Sequence, residues 1–437
     1  MNINIISLIG ILLGVSLFIF LSVKGFQLLL TACAASFVVI ATSGQPLMEM
    51  INVSWTGSLA NFLQAYFLVL TLSAIIGKAM NDSGAAKRIA QALYQLCKKS
   101  KRNQKLIAAM FVPIMYVLLC YAGISGLVVV FTVLSIGKQI LQEFDIPWRL
   151  YCYGGATSIV TQWMPGSLNL SNIAAANASG AGLAGNAGLG IVATVVYLAV
   201  AFFFLSRDLK TAERKGEGFA ETGAGILAVT GKAQVEEKPM PSLIVSIIPL
   251  GVTIILAACF QMDIMLALFI GLLLCIVFFW KYTPSMKATL GDGAISSFAP
   301  VIGVGATAAF ASVITMTPGF QIIVALLGRL PLLFEGFGFI ALLTFIMASP
   351  VGSIASMGEK AMQCFTDAGL APATSSTIIA LSTFTTTSPH APAIANATAV
   401  ARLEYKRVIG IYLKVPFIGG ALALAACILC IQFGLFG

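Results

Sequence analysis

Long apolar stretches separated by short polar segments fill most of this chain. Many of these stretches are close to the ~20 residues that a helix needs to cross the hydrocarbon of a bilayer. We therefore predict spanning helices over 4–22, 26–43, 58–79, 150–174 and 188–205 in the first half, and over 242–260, 264–280, 294–315, 376–398 and 409–434 in the second. The pattern predicts an all-α polytopic membrane protein.

Two apolar runs, 106–137 and 336–366, are too long for one simple span. Each is interrupted near its centre, the first at 120–126 and the second at 349–356, by residues such as Gly, Pro and Ser. These residue types are turn signals. Each run is therefore predicted to be a re-entrant hairpin that enters and leaves on the same side of the membrane.

Two of the predicted spans contain a matched polar motif. In the first, Pro165 follows Thr161 by four positions and precedes Asn172 by seven; the same spacing recurs within 385–396 around Pro389. Proline cannot donate to the helix ladder, and the backbone groups freed at such a break cannot be satisfied by lipid. The motifs predict helix breaks at Pro165, Gly166 and Pro389. A matched pair of broken helices indicates a transporter binding site.

The charged residues support this interpretation and fix an orientation. They make up only 9% of the chain, whereas soluble domains carry about 25%. The net charge of +9 does not indicate nucleic-acid binding, because the basic residues lie between the spans. If the basic loop 98–102 is cytoplasmic, all 25 Lys and Arg residues except Arg329 and Lys360 lie on the cytoplasmic side or at its span ends, as the positive-inside rule requires. Both termini are then external.

This topology divides the chain into two halves of opposite orientation. We predict a first inverted repeat over 1–205, a cytoplasmic and mobile linker over 206–240, and a second inverted repeat over 241–437. Each repeat is expected to contain five spanning helices plus a re-entrant hairpin and a broken helix. Residues 82–97 and 317–330 have the spacing of interfacial arm helices. The nine cysteines lie mostly in apolar segments, without the spacing of a disulfide framework or a metal site.

Broken helices and hairpin tips place helix ends inside the membrane. The N-terminal ends present free N–H groups that suit a carboxylate, and unwound carbonyls suit a cation or a proton donor. Hydroxyl and amide side chains add partners for a hydroxylated substrate, although any one of them could instead serve helix packing. The candidate substrate-binding residues are Ser125, Thr161, Ser167, Asn169, Asn172, Ser353, Ser356, Thr385, Thr387, Ser388, His390 and Asn396.

Three residues are candidates for proton coupling. His390 is the single histidine and adjoins Pro389; the unperturbed pKa of histidine, about 6.5, suits proton exchange. Glu359 is predicted to lie within membrane depth, just past the second hairpin tip. Asp82 follows the third span, and its interpretation as a cap of the arm helix is favoured over proton handling, since Asp is a favoured N-cap.

The segment 77–90, which contains Asp82-Ser83-Gly84, resembles a signature of the gluconate permease (GntP) family of the ion-transporter superfamily. Pro165-Gly166-Ser167 with Asn172, and the Ser-Pro-His sequence ending at His390, are similar to the hydroxybutyrate-permease-like branch of that family. The resemblance implies a proton-coupled symporter for a small organic anion, either a gluconate-like sugar acid or a short hydroxycarboxylate. It also implies an elevator-like mechanism, a homodimer in the cytoplasmic (inner) membrane, and no cofactor beyond the coupling ion.

Other functions stay open at this point. Sodium could replace the proton as the coupling ion, since unwound carbonyls bind either. An anion channel is a second alternative. The sequence Gly123-Ile-Ser125-Gly126 also fits an intramembrane serine protease that pairs Ser125 with His390. Gly and Ser are expected at any re-entrant tip, and the matched second half would be surplus for such an enzyme, so we predict a transporter and not an enzyme.

Overall fold

The computed structural model describes residues 3–24, 26–99, 103–124, 126–230, 239–260 and 262–436, and every regular element in these ranges is helical. The first half contains α1 (Ile3–Val23), α2 (Leu28–Ser43), α3 (Leu47–Glu49), α4 (Gly57–Asp82), α5 (Ala85–Lys99), α6 (Gln104–Tyr121), α7 (Gly126–Glu143), α8 (Tyr153–Ser158), α9 (Leu170–Ser179) and α10 (Ala187–Lys215). A π-helical segment, Met50–Thr56, joins α3 to α4.

The second half begins after α11 (Phe219–Thr230). It contains α12 (Leu243–Ile254), α13 (Ile264–Phe279), α14 (Met286–Thr315), α15 (Phe320–Leu327), α16 (Leu332–Met347), α17 (Pro350–Asp367), α18 (Pro372–Leu381), α19 (Pro392–Val400) and α20 (Tyr405–Gln432). Six helices in the described ranges are long and apolar enough to cross a membrane. The prediction of an all-α polytopic membrane protein is confirmed.

Both predicted hairpins form as pairs of packed helices. Helices α6 and α7 pack on each other across a turn that contains Gly123, and α16 and α17 do so across Ala348 and Ser349. Gly123 has φ +88, and a Cβ there would lie 3.1 Å from the Leu168 side chain, so a larger residue would be strained. The Ser349 hydroxyl caps α17 by accepting from the Gly352 N–H at 3.2 Å. Both turns lie at or next to the interruptions predicted from the sequence. That each hairpin enters and leaves on the same side of the membrane stays a prediction.

The helix order of the first half recurs in the second. Leaving aside α3 and α11, two helices are followed by a long helix, a shorter arm helix, a hairpin, a broken helix and a final long helix in each half. Contacts between the halves come in reciprocal pairs: α1 packs on α15 as α12 packs on α5, and α2 packs on α14 as α13 packs on α4. Each half therefore completes the packing of the other.

Helices α4 and α14 occupy corresponding places in the two halves and run antiparallel along their length. The Asp82 carboxylate accepts from the Thr289 hydroxyl at 2.7 Å, and the Thr71 and Ser297 hydroxyls lie 3.1 Å apart. Residue numbers thus fall along α4 as they rise along α14.

Helices α10 and α20 also correspond to each other and also run antiparallel. The Cys427 thiol lies 3.5 Å from the Leu189 carbonyl near one end, and Lys414 contacts Asp208 toward the other. Both pairs of corresponding helices are therefore antiparallel.

The hydrophobic packing separates two groups of helices. The largest core joins α6–α10 with α16–α20, and we call these helices the hairpin unit; Phe62 of α4 and Val301 of α14 also pack into this core. Its centre contains large buried aromatic residues, among them Trp148, Tyr151, Trp163 and Tyr197. Two smaller cores lie mainly among α1–α4 and α12–α14, and we call these helices the frame unit; Met347 of α16 and Ile173 of α9 also pack into these cores. Helix α14 contacts α17, so α14 and α17 join the two units.

The described part of the predicted linker is helical and packed. Residues 206–215 complete α10, and α11 packs against the segment that precedes α8. The Arg149 guanidinium donates to both carboxylate oxygens of Glu217 at 2.7 and 2.9 Å, which lowers the pKa of that carboxyl. Phe219 of α11 is buried against Trp148, and the mobility of the linker stays a prediction. Residues 231–238 lie outside the described residues.

We predict that Gly293→Ala destabilises the protein. An alanine Cβ there would lie 2.8 Å from the Cα of Ile75, so α4 and α14 would have to separate. Overpacking of this kind costs about 1–3 kcal/mol and is measured by thermal unfolding in detergent. Gly291→Ala is the matched control on the same helix, since its Cβ would meet nothing within 4 Å. Equal melting of the two variants would contradict the close approach of α4 and α14.

Candidate functional site

The first predicted break is present. The part of the broken helix before the break consists of α8 and the 3₁₀ segment Ile159–Gln162, and the part after it is α9, which begins at Leu170. Between them Gly166 has φ +75, a backbone conformation that glycine adopts without strain. The Tyr121 hydroxyl donates to the Pro165 carbonyl at 2.8 Å, and the Gly166 N–H donates to the Leu183 carbonyl at 3.1 Å. Protein groups thus supply the hydrogen bonds of these backbone groups, which lipid could not.

The predicted binding side chains of this break hydrogen-bond to one another. The Asn169 side chain caps α9 by accepting from the Ser171 N–H at 3.0 Å, and its amide group donates to the Thr161 hydroxyl at 2.9 Å. The Ser167 hydroxyl accepts from the Asn169 N–H at 3.2 Å. Thr161 and Ser167 are fully buried. The structure therefore brings these three candidates together in one network.

Asn172 fixes the backbone around the break. Its amide group donates to the Ser167 carbonyl at 2.9 Å and to the Leu183 carbonyl at 2.8 Å. Both acceptors are main-chain groups on either side of α9. In this structure Asn172 therefore holds the loop after α9 against the break, which is a positioning function.

The second predicted break is present as well. The 3₁₀ segment Ser382–Thr387 follows α18, and α19 begins at Pro392. The Ala391 N–H donates to the Ser388 carbonyl at 2.8 Å, and the Tyr405 hydroxyl donates to the Pro389 carbonyl. Proline is favoured at a first helical position because its missing N–H is not needed there. Unlike α9, α19 has no side chain capping its N-terminus.

His390 lies buried between this break, the second hairpin and the frame unit. Its Nε2 is 2.8 Å from the Ile346 carbonyl and 3.3 Å from the Ser388 hydroxyl. A carbonyl only accepts, so we assign the proton of the neutral ring to Nε2. The rings of Phe18 and Phe345 meet His390 edge-on, with centroids 6.0 and 6.2 Å away. A change at His390 would therefore affect α1 as well as α16.

The threonines of the second break differ in their partners. The Thr385 hydroxyl donates to the Ala341 carbonyl of α16 at 2.7 Å. Within the ranges that the structure describes, the buried Thr387 hydroxyl has no hydrogen-bond partner, and the same holds for the Trp163 indole N–H at the first break. Buried polar groups are nearly always paired, and the exceptions need an explanation such as an absent ligand or water.

The two breaks meet through a pair of residues that sequence reasoning missed. The Thr383 hydroxyl lies 2.6 Å from the Gln162 side-chain oxygen and 2.5 Å from the Ala380 carbonyl, and Thr383 and Gln162 are both buried. They lie in the 3₁₀ segments that lead into the two breaks. Their positions in the sequence could have indicated these two residues, because Gln162 follows Thr161 inside the first motif and Thr383 precedes Thr385 of the second motif by two. The structure thus brings both motifs into one site.

The candidates of the second hairpin bond within that hairpin. The Ser353 hydroxyl lies 2.5 Å from that of Thr344 and donates to the Pro350 carbonyl at 2.8 Å. The Ser356 hydroxyl donates to the Gly352 carbonyl of its own helix at 2.9 Å. Asn396 is half-buried on α19. Ser125 lies outside the described residues.

The two acidic candidates lie away from the breaks. Glu359 and its neighbour Lys360 are exposed on α17. Asp82 pairs with Lys78 at 2.9 Å as well as with Thr289. Asp82 does not cap α5; the Ser83 hydroxyl accepts the Ala85 N–H instead, because Asp82 is still the last residue of α4.

Asp82 instead faces a polar cavity of about 460 Å³ between the two halves, together with Lys87 and Asp292. Across the described ranges, no group of three or more His, Cys, Asp or Glu residues could hold a metal ion.

We predict that Thr383→Val impairs transport by at least about tenfold and destabilises the protein by about 1–3 kcal/mol, because the buried Gln162 oxygen loses its donor. Initial uptake rates and thermal unfolding measure the two effects. Thr253→Val is the matched control, since its buried hydroxyl bonds only within α12, to the Pro249 carbonyl. Normal uptake by Thr383→Val would show that the contact between the breaks is dispensable.

Comparison with known proteins identifies the class of this molecule. A family model described as GntP family permease matches residues 6–267, which include the first break and the Asp82-Ser83-Gly84 segment. The chain is also 26% identical over 356 residues to the uncharacterized transporter YxjC of Bacillus subtilis (strain 168), covering 72% of this chain and 74% of that protein. The family match spans more than half of the chain. It excludes the intramembrane protease, and the chain belongs to the GntP family of permeases, which are membrane transporters.

Proposed function

We propose that this permease is a secondary active transporter that moves a small organic anion together with protons across the cytoplasmic membrane. The observation that carries the proposal is the meeting of two broken helices, joined by Thr383 and Gln162, inside one packed unit. Helix ends buried at a break are the usual binding elements of secondary transporters.

The antiparallel pairing of corresponding helices supports an inverted-repeat architecture. Repeats related by an axis in the membrane plane have opposite directions across the bilayer. The pairs α4 with α14 and α10 with α20 have this relation, and the contacts between the halves are reciprocal. Two inverted copies of a broken helix can present the same site to either side of the membrane in turn.

The separation into two units supports an elevator-like motion. Both breaks and both hairpins belong to the hairpin unit, whereas α4 and α14 form the centre of the frame unit. The contact between the units includes small residues: Gly352 packs near the Ala308 N–H, and the Ser356 hydroxyl lies 3.5 Å from the Ala308 carbonyl. Small residues leave few interlocking side chains to resist sliding.

The second break is the better candidate for holding the anion. The N-terminus of α9 is occupied by the Asn169 cap, whereas the N-terminus of α19 has no side-chain cap. Free N–H groups at a helix N-terminus attract a carboxylate; at α19, Pro392 has no N–H and the Ile394 N–H donates to the Ala391 carbonyl at 3.0 Å. The unpartnered Thr387 hydroxyl precedes this N-terminus by five residues and can bond a hydroxyl group of the substrate. A hydroxycarboxylate, either gluconate-like or shorter, has both of these groups.

The remaining parts of the proposal concern coupling, location and assembly. His390 is proposed to exchange the coupled proton because it is the titratable side chain at the second break; sodium is the alternative coupling ion.

The protein is proposed to lie in the inner membrane as a homodimer with both termini outside. The exposed apolar side chains of α1 and α13, such as Leu12, Phe20, Phe269 and Val277, provide a surface for lipid and for a second copy.

The proposed function is tested by uptake of labelled gluconate and labelled 3-hydroxybutyrate into proteoliposomes. We expect saturable uptake of at least one of them, accelerated by an inward proton gradient and unchanged by sodium. Sodium dependence without proton dependence would identify sodium as the coupling ion. Conductance without saturation would instead support a channel.

We predict that His390→Ala abolishes uptake or removes its dependence on the proton gradient, because the imidazole proposed to exchange the proton at the second break is lost. Initial rates are measured over a range of external pH. His390→Gln is the control, since its amide group can still donate to the Ile346 carbonyl but cannot titrate. Proton-driven accumulation by either variant equal to that of the wild type would contradict a coupling function for His390.

We also predict that Pro165→Ala and Pro389→Ala each reduce uptake more than they reduce expression. Restoring an N–H at a break favours continuation of the helix, and a proline within a helix costs about 3 kcal/mol. Uptake per unit of purified protein is the measurement. Pro249→Ala, inside α12 of the frame unit, is the control that should transport normally. Normal uptake by both break variants would refute the site.

A further inference from the structure

The two broken helices are joined near one end by a buried tryptophan. The Trp148 indole N–H donates to the Ala401 carbonyl at 2.7 Å. Trp148 begins the 3₁₀ segment Trp148–Cys152, which leads into α8 and the first break, and Ala401 directly follows α19. The start of the first broken helix therefore contacts the end of the second, and we call this contact the Trp148 junction.

The opposite ends of the broken helices are also joined. The Asn186 N–H donates to the Ala373 carbonyl at 2.9 Å, and the Asn186 side-chain amide donates to the Thr374 hydroxyl at 2.9 Å. Asn186 is the N-cap of α10, which follows α9 in the chain, and the two acceptors lie in the first turn of α18. Together with the contact of Thr383 with Gln162, these bonds hold the broken helices together at both ends and at the breaks.

Helix α11 covers the Trp148 junction. The rings of Phe219 and Trp148 lie 5.7 Å apart, measured between their centres. The Arg149 guanidinium, next to Trp148, donates to both carboxylate oxygens of Glu217, which precedes α11. The Phe219 N–H donates to the Asp145 carboxylate at 2.9 Å, just beyond the end of α7. The start of α11 is therefore fixed to the first broken helix and to the first hairpin.

The same helix also reaches the second broken helix. A Cβ added at Gly225 would lie 2.9 Å from the Arg402 carbonyl and 3.2 Å from the Arg402 Cβ, directly after the Trp148 junction. The Arg407 guanidinium donates to the Glu221 carbonyl at 3.4 Å. The Ile226 side chain is buried in the core of the hairpin unit. Helix α11 therefore packs with the hairpin unit and contacts both broken helices.

We propose that α11 is a clamp that holds the Trp148 junction closed and travels with the hairpin unit during transport; this rests on the proposed function. A helix in this place could instead be a lid that leaves the junction in each transport cycle. Segments that open readily have few buried apolar contacts. Undocking of α11 would expose Phe219 and Ile226 and would separate Arg149 from Glu217, so the contacts favour a clamp.

Trp148→Phe tests whether the junction positions the two breaks. It keeps an aromatic ring beside Phe219 but removes the N–H that bonds to the Ala401 carbonyl. We expect the KM for labelled gluconate or 3-hydroxybutyrate to rise at least about fivefold, because a buried acceptor loses its partner and the breaks lose a connection. The maximal rate per folded protein should stay within about twofold.

Trp280→Phe is the matched control, since Trp280 follows α13 of the frame unit and is 63% exposed. Its KM should equal that of the wild type. A lower thermal stability of Trp148→Phe with an unchanged KM would show that the junction serves stability alone, and would overturn its positioning function.

Phe219→Leu tests whether α11 acts through Trp148. It removes the ring that packs on Trp148 and keeps an apolar side chain in the core. We expect a raised KM, and a double variant with Trp148→Phe whose KM is less than the product of the two separate effects, because residues in contact do not act independently. An unchanged KM in Phe219→Leu, or fully multiplicative effects, would overturn the clamp.

A disulfide between positions 225 and 402 distinguishes the clamp from the lid. The two Cβ atoms would lie 3.2 Å apart in Gly225→Cys with Arg402→Cys, and a small shift of α11 would reach the ~3.5–4.5 Å of disulfides. We expect the oxidised protein to keep uptake within about twofold of the reduced protein. Each single-cysteine variant is the control for the native cysteines.

Loss of uptake on oxidation that dithiothreitol restores would show that α11 must leave the junction, and would overturn the clamp while leaving the proposed function intact. The yield of the cross-link needs no substrate, and cysteines that stay unlinked in the folded protein would contradict the docked position of α11. Absence of saturable uptake by the wild type would instead overturn the proposed function, and with it the part of the clamp in transport.

Discussion

The structure depends on one constraint: a helix broken inside the membrane must satisfy its freed backbone groups without water. At the first break this is done by Tyr121 and by the carbonyl of Leu183, and at the second by Tyr405. These partners come from the first hairpin, from the loop after α9 and from α20. Each break therefore requires its neighbours to be in place, which explains why hairpins and broken helices share one hydrophobic core, against which residues of α4 and α14 also pack.

Much of the fold could be predicted from the sequence because its strongest signals are local. Apolar length gives the spans, Pro165 and Pro389 give the breaks, and Gly123 and Ser349 mark the hairpin turns. The helix α11 could not be predicted, since its charged and Gly-rich surroundings are typical of a linker. It is held by contacts with residues distant in sequence, such as the pairing of Glu217 with Arg149. Such contacts have no local signature.

The candidate site was predictable in location but not in detail. Thr161, Ser167 and Asn169 do lie together, yet they satisfy one another and leave little free capacity for a ligand. The pairing of Thr383 with Gln162 needed the relative placement of two segments far apart in the chain.

The two copies of the broken helix are alike in construction but not in chemistry. The first is closed by its own side chains: Asn169 caps α9 and Asn172 fixes the following loop. The second leaves the N-terminus of α19 without a side-chain cap and places His390 beside it. On the proposed function, anion binding is therefore assigned to the second copy, and the first copy contacts it through Gln162 and Thr383.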